Sequence, residues 1–350
     1  MTKPIHIGNR EIGSESPCFI IAEAGVNHNG DLALARQLVD AAVAAGADAV
    51  KFQTWVTEKL VTPDVRLAEY QEHNLAYDAT QFAMLKELEL SYDQFRVLKG
   101  YADQRHIVFL STPNEEDSVD FLSDLGVPAF KIGSGEVTNL PFLRHVGAKN
   151  IPVILSTGMA TLDEVAEAVQ TLEATSNRRL VLLQCVSSYP ADPADCNLRA
   201  MATLGETFGY HVGFSDHTMG IEIAIAAVAR GAHVLEKHLT LDRSMSGPDH
   251  RASLEPAEFG EMVWAIRNVE ASLGDGAKRP TADELQTRQV VRKCIVTTRT
   301  IKAGNVLTAE DVALRRACGG LSAAELPHIV GRRSVVDLRA NCTITMDMLQ

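Results

Sequence analysis

Short, nearly continuous apolar runs recur along the chain at Cys18–Gly25, Ala47–Thr54, Ile107–Pro113, Ala129–Glu136, Pro152–Gly158, Leu180–Cys185, His211–Thr218 and His233–Thr240. Runs of this kind predict parallel strands buried on both faces. Between them apolar residues recur at helical spacing, as in Leu32–Ala45 and Leu162–Leu172. Thr161, ahead of Leu162-Asp163-Glu164, predicts a helix N-cap followed by acidic residues in the first turn. Eight strand–helix units predict an α/β fold, a (β/α)₈ TIM barrel whose last helix is Pro256–Leu273. A doubly wound open sheet shares this alternation, but no glycine-rich dinucleotide turn follows the first strand.

The pattern changes at Gly274–Asp283, whose Gly, Asp, Lys and Pro content reads as a linker. Beyond it Val296–Thr300 predicts a short strand, Lys302-Ala303-Gly304 a turn, and Thr308–Asp311 a capped helical turn. Val335–Leu338 and Ile344–Met348 complete a small domain with little regular helix. The expected divisions are a catalytic barrel over 1–276, a linker over 277–287 and a small domain over 288–350. That last piece is too small for a second enzyme domain and reads as a lid or an interaction module.

Composition narrows the function classes. The net charge of 33 − 45 = −12 argues against wholesale binding of a nucleic-acid backbone. The charge is uneven: Leu285–Gln350 holds ten Lys/Arg and five Asp/Glu, a net +5, leaving −17 for the rest. A basic tail of this kind can meet an anionic substrate or an acidic body. Six scattered cysteines form no C-x-x-C pair, which argues against a zinc ribbon or a disulfide framework and fits a reducing cytosol. With no apolar signal core and no membrane-length run, a soluble cytoplasmic protein is expected.

In a barrel, function lies at the C-terminal ends of the strands. His217 and His238 close the last two predicted strands, where neutral imidazoles can hold a divalent metal. Lys51 and Lys131, beside hydroxyl-rich strand ends, suit a phosphate-carboxylate anion. Glu23, Gln53, Glu136 and Asp249 can then hold a polyhydroxylated partner, with Glu23 also placed to shuttle a proton.

These residues fall in an ordered set of motifs. They are Ile21-Ala-Glu-Ala-Gly-Val-Asn-His-Asn-Gly30, Ala49-Val-Lys-Phe-Gln53, Phe130-Lys-Ile-Gly-Ser-Gly-Glu136 and Leu155-Ser-Thr-Gly-Met159. Gly213-Phe-Ser-Asp-His217, Glu236-Lys-His-Leu-Thr-Leu-Asp242 and Met245-Ser-Gly-Pro-Asp-His250 continue the set. Together they resemble the sialic acid synthases, which condense phosphoenolpyruvate with an N-acetylated sugar. The tail from Arg292 resembles that family's C-terminal antifreeze-like (SAF) domain.

The resemblance implies a TIM barrel followed by that small domain, in a domain-swapped homodimer. It implies that His217 and His238 bind Mn²⁺, with Mg²⁺ or Co²⁺ as alternatives. Lys51, Thr112, Lys131, Ser134, Ser156 and Ser215 would hold phosphoenolpyruvate. Glu23, Gln53, Glu136, Tyr189, Asp249 and the partner chain's equivalent of Arg316 would hold the open-chain sugar. The catalytic set would be Glu23, His217 and His238. The product expected is N-acetylneuraminate from N-acetylmannosamine. The alternative is N,N'-diacetyllegionaminate from 2,4-diacetamido-2,4,6-trideoxymannose.

Three positions depart from the family pattern: Asn114 where phenylalanine is common, Gln184 where histidine is frequent, and Arg316-Ala317-Cys318 in place of Arg-Pro-Gly. Two other classes remain on the residues alone. A Schiff-base aldolase would use Lys131 as nucleophile and ignore chelators. An ice- or carbohydrate-binding protein would leave the polar strand ends without a purpose.

Overall fold

The chain opens with an antiparallel hairpin, β1 (Ile5–Ile7) and β2 (Arg10–Ile12). Eight strands then close a parallel barrel: β3 (Phe19–Gly25), β4 (Ala49–Thr54), β5 (Val108–Pro113), β6 (Phe130–Ile132), β7 (Val153–Ser156), β8 (Leu180–Cys185), β9 (His211–Asp216) and β10 (Val234–His238). β10 pairs back onto β3, so the barrel has no free edge. These are the strands that the apolar runs predict, shortened at their ends. This computed structural model describes residues 3–67, 71 and 80–350.

Helices follow the strands in the expected order. They are α1 (Leu32–Ala44), α2 (Thr57–Leu60), α3 (Gln81–Leu88), α4 (Tyr92–Gln104), α5 (Glu116–Leu125), α6 (Leu140–Ala148), α7 (Leu162–Ala174), α8 (Ala200–Phe208), α9 (Glu222–Ala229) and α10 (Pro256–Leu273). Thr161 caps α7 as predicted, its side chain accepting from Glu164 N while Glu164 reaches back. The run Ala129–Glu136 is not one long strand. After Ile132 the chain leaves the sheet and makes a 3₁₀ turn over Ser134–Glu136, between and beyond its two glycines.

Side-chain alternation makes the barrel interior change character at one level. Below, Phe19, Ile21, Ala49, Leu110, Ala129, Ile154, Val181, Leu183 and Val234 pack together with Ile5, Ile7 and Ile12 of the hairpin. The hairpin therefore closes the N-terminal end of the barrel, a role its three-residue strands did not disclose in the sequence. Gly213 belongs to this tight layer: a Cβ there would stand 2.1 Å from the Val234 carbonyl oxygen. One pleat higher the inward residues become Glu23, Lys51, Thr112, Lys131, Ser156, Cys185, Ser215 and Glu236, all buried. Outward residues such as Ile20, Phe52, Phe109, Phe130, Leu182 and Phe214 form the larger core beneath the helices.

The chain divides into two compact units, Met1–Gly274 and Asp275–Gln350. In the second unit β11 (Lys293–Thr297) pairs antiparallel with β12 (Val312–Arg316). Isolated bridges such as Ile301–Leu338 and Ser334–Leu349 tie its remaining loops together. Its own core holds Ile295, Ile301, Leu307, Ile329, Leu338 and Ile344. The strand lies three residues earlier than the predicted Val296–Thr300, while the capped turn at Thr308–Asp311 is present, with a reciprocal capping box. Part of the expected linker is helical: α11 (Ala282–Val291) has a Thr281–Glu284 capping box and buries none of its residues in this unit.

Candidate active site

The polar level of the barrel opens into a cavity of about 460 Å³, within the size range of small-molecule sites. Of the residues singled out from sequence, Glu23, Lys51, Gln53, Thr112, Lys131, Ser134, Ser156, Tyr189, Ser215, His217, His238 and Asp249 all line it. Glu136 is not among the lining residues; its carboxylate accepts from Asn139 Nδ2 at 2.7 Å on the turn after β6. Arg316 ends β12 in the second unit, where it is exposed.

The two lysines reach the cavity floor from strands β4 and β6. Lys51 Nζ lies 2.9 Å from Glu23 Oε2, 3.6 Å from Glu236 Oε2 and 3.0 Å from Thr112 Oγ1. Lys131 Nζ donates to Ser156 Oγ at 2.7 Å and stands 3.6 Å from Glu236 Oε1. Ser215 Oγ donates to the same Glu236 oxygen at 3.0 Å. Glu236 is therefore the hub between the two cations, and it was not among the residues expected to act. Its signal was available: two positions before His238, it shares that residue's inward face.

Burial and neighbours divide the charges. Burial disfavours both ammonium groups, yet Glu23 and Glu236 together hold the Lys51 pKa above the usual range. Lys131 has Glu236 but also Lys51 nearby, and burial leaves its pKa below the usual range. For Glu236 the burial penalty is outweighed by Lys131 and Lys51, keeping it ionised. Glu23 goes the other way: burial, reinforced by Glu236, pushes its pKa up to about 7 against the attraction of Lys51. A carboxyl poised near neutrality can carry a proton either way.

The histidines stand side by side at the ends of β9 and β10, ring centroids 5.3 Å apart. His217 Nδ1 lies 2.7 Å from the Val186 carbonyl oxygen. That bond takes the Nδ1 proton and leaves Nε2 as the lone-pair nitrogen. Burial, with His217 and Lys51 close by, holds the His238 pKa well below normal and keeps that ring neutral. His238 Nδ1 is buried without a hydrogen-bond partner, its nearest carboxylate being Asp249 at 3.8 Å. Asp249 is itself raised to about 6 by burial. The Tyr189 ring covers both imidazoles, its centroid 4.1 Å from that of His217 and 5.5 Å from that of His238. Burial opposes protonation of His217, but Cys185 beside it and the Val186 carbonyl raise its pKa. A divalent cation would take the place of that proton, and with the orphaned nitrogen of neutral His238 the adjacent imidazoles fit one. Among the described residues no group of three His, Cys, Asp or Glu is placed to hold a metal ion, so a cation here would rest on the two imidazoles as protein ligands.

Other motif residues turn out to brace the rim rather than face the cavity. Asn27 Nδ2 donates to the Leu239 carbonyl and to Ser253 Oγ, both at 2.9 Å. His250 bridges Thr240 Oγ1 at 2.7 Å and Asn29 Oδ1 at 3.1 Å, tying the loop after β10 to that after β3. Gly158 lets two rim loops meet: its N–H donates to Ser134 Oγ at 2.9 Å, and a Cβ there would stand 2.5 Å from Ser187 Oγ. One side of the mouth is apolar, made by Val26, Met84, Leu85 and Leu88. That wall comes from α3 and the loop after β3, and of its four residues only Val26 falls in a quoted motif.

The comparisons with known proteins agree with this geometry. A NeuB family model matches residues 38–278 and a SAF domain model matches residues 292–350. The chain is 46% identical to an N,N'-diacetyllegionaminic acid synthase of Legionella pneumophila, over 98% of each chain. It is 44% identical to an enzyme of the same name from Campylobacter jejuni, over 90% of this chain and 95% of that one. Among solved structures, a citrate complex described as an N-acetylneuraminic acid synthetase from Leptospira borgpetersenii superposes with a TM-score of 0.72 at 36% identity, covering 83% of this chain and 98% of its own. A polar barrel mouth, a SAF domain and full-length relatives lead to one assignment: the chain belongs to the NeuB family of sialic acid synthases and is an enzyme.

Proposed function

We propose that the enzyme condenses phosphoenolpyruvate with 2,4-diacetamido-2,4,6-trideoxymannose, giving N,N'-diacetyllegionaminate and phosphate. The two relatives of highest identity quoted above carry that activity in their names, which turns the preference away from the N-acetylmannosamine expected from sequence and toward its alternative. The wall of Val26, Met84, Leu85 and Leu88 supports the same choice. A methyl at sugar C6 suits such a surface, whereas a hydroxyl buried there without a partner costs about 1–3 kcal/mol.

In this reading Lys51 and Lys131 receive the phosphate and carboxylate of phosphoenolpyruvate, with Thr112, Ser134, Ser156 and Ser215 as directional partners. Gln53, Tyr189 and Asp249 face the sugar, with Glu136 at the rim and Arg316 supplied by a partner chain in a homodimer. His217 and His238 would hold Mn²⁺ or a similar cation, which when bound supplies Lewis-acid polarisation of the sugar aldehyde. Carbon 3 of phosphoenolpyruvate attacks that aldehyde carbon, and positive charge develops at carbon 2. Water adds at carbon 2, and the tetrahedral adduct expels phosphate by C–O cleavage. Glu23, with a pKa near 7, takes the proton of the attacking water or delivers one to the new alkoxide. The buried lysines offset phosphate charge throughout.

The deciding experiment measures phosphate release from phosphoenolpyruvate with Mn²⁺, comparing the diacetamido trideoxy sugar with N-acetylmannosamine. Preference for the former is expected. Preference for N-acetylmannosamine would return the assignment to N-acetylneuraminate. Silence with both, in folded and metal-loaded protein, would reject the reaction class.

A further inference from the structure

Asp216 and Lys237 carry no expected chemistry, yet they are the residues directly before the two histidines. They are register partners on β9 and β10. Alternation turns their side chains out of the barrel, opposite to Ser215 and Glu236, and both are wholly buried at 0% exposure. Helix α9 packs over both strands there. Most outward positions of this barrel are apolar, so a charged pair is the exception. A fully buried ion pair is a poor way to gain stability, because desolvation offsets much of the attraction. Its retention calls for a geometric reason.

The bonds supply one. Lys237 Nζ donates to Asp216 Oδ2 at 2.8 Å and to the Thr218 carbonyl at 2.6 Å. Asp216 Oδ1 accepts from Thr218 N at 2.9 Å and from Thr218 Oγ1 at 2.8 Å. Residues 216, 218 and 237 are thereby locked together, bracketing His217 on one strand and adjoining His238 on the other. The inner side of the same rung is also fixed: the His217 carbonyl accepts from Ala191 N at 2.9 Å, and the His238 carbonyl from Leu254 N at 2.9 Å.

We propose that Asp216, Lys237 and Thr218 form a positioning clamp that sets the separation and angle of His217 and His238 as cation ligands. The clamp works from behind the strands and touches neither substrate nor cation. This inference rests on the two-histidine reading above. Hydrogen-bonded groups behind metal ligands typically govern affinity by about 10–100-fold, and the strand rung transmits the effect here.

The test is Mn²⁺ titration of the full-length protein by calorimetry, with thermal melting of the metal-free protein alongside. Replacing the pair together (Asp216→Leu with Lys237→Met) avoids leaving one buried charge alone. The expected result is a Tm close to that of the parent with Mn²⁺ affinity weakened about tenfold or more. A Kd within about twofold of the parent, in folded protein, overturns the proposal. Should the paired replacement fail to fold, Thr218→Val decides, because it removes one hydroxyl while keeping the side-chain shape. Weakening of about threefold at unchanged Tm supports the clamp, and unchanged affinity overturns it. A parent protein that binds no Mn²⁺ sinks the two-histidine reading itself. A parent that binds, with variants that bind equally, sinks the clamp alone.

Discussion

Glu23 and Lys51 are register partners on neighbouring strands, joined at 2.9 Å inside the barrel, and yet only the lysine is held firmly in its charged form. The carboxyl, raised to about 7, is more easily protonated in the folded protein than in the unfolded chain. Its contribution to stability is therefore present at acid pH and is lost as pH rises through about 7. The metal-free Glu23→Gln variant avoids that loss. It is expected to melt with the parent near pH 4.5 and above it at pH 8, while condensation falls by about 100-fold or more. Equal melting of variant and parent at both pH values would show that folding does not raise the Glu23 pKa.

Glu236 is expected to control when Lys131 is charged. Burial lowers the Lys131 pKa and Glu236 opposes that effect. In Glu236→Gln the opposition is gone, so the alkaline limit of phosphoenolpyruvate binding moves to lower pH. Calorimetric titrations between about pH 6.5 and 9.5 measure it, and an unmoved limit would mean that Glu236 does not govern the lysine.

Leu85 tests the apolar wall. It is only half-buried, so Leu85→Asn is expected to fold. The variant should lower the preference for a 6-deoxy sugar over its 6-hydroxy counterpart by about tenfold, since a polar partner now awaits the hydroxyl. Comparing N-acetylmannosamine with its 6-deoxy analogue isolates this one position. An unchanged ratio of kcat/KM values would place C6 elsewhere in the cavity.

His238→Ala should abolish both Mn²⁺ binding and condensation without unfolding the barrel, and near-normal turnover would defeat the metal assignment. Arg316→Ala is expected to raise the KM for sugar by about tenfold while leaving that for phosphoenolpyruvate nearly unchanged. Equal losses for both substrates would remove Arg316 from the sugar site.

Much of this site was legible in the sequence because two periodicities coincide in a barrel. Buried parallel strands announce themselves as apolar runs, and the polar residue that ends each run, such as Lys51, Ser215 or His238, falls at the catalytic face. The less visible features depend on contacts that a linear pattern does not encode. The three-residue strands Ile5–Ile7 and Arg10–Ile12 are too short to show a period, and only the closed barrel reveals what they cover. Helix α11 was hidden because Gly274–Asp283 has linker composition, although Thr281 and Glu284 spelled a capping box. Asn27, His28 and His250 stood in the motifs without an assigned role. The structure spends Asn27 and His250 on bracing the rim, and buries His28 with its Nε2 unpartnered.

The apolar layer inside the barrel and the hairpin beneath it close the lower end of the cavity. Lys51, Lys131 and Ser215 lie buried on its floor, while Gln53 and Tyr189 are half-buried nearer solvent. A blind-ended well fills from the bottom and empties from the top. In the proposed reaction, whatever binds the lysines would arrive before the molecule that sits above it, and phosphate left on the floor would wait for the sugar acid to depart. Ordered addition and ordered release are therefore what the proposed reaction would require of a well closed below by this apolar layer and the three isoleucines of the hairpin.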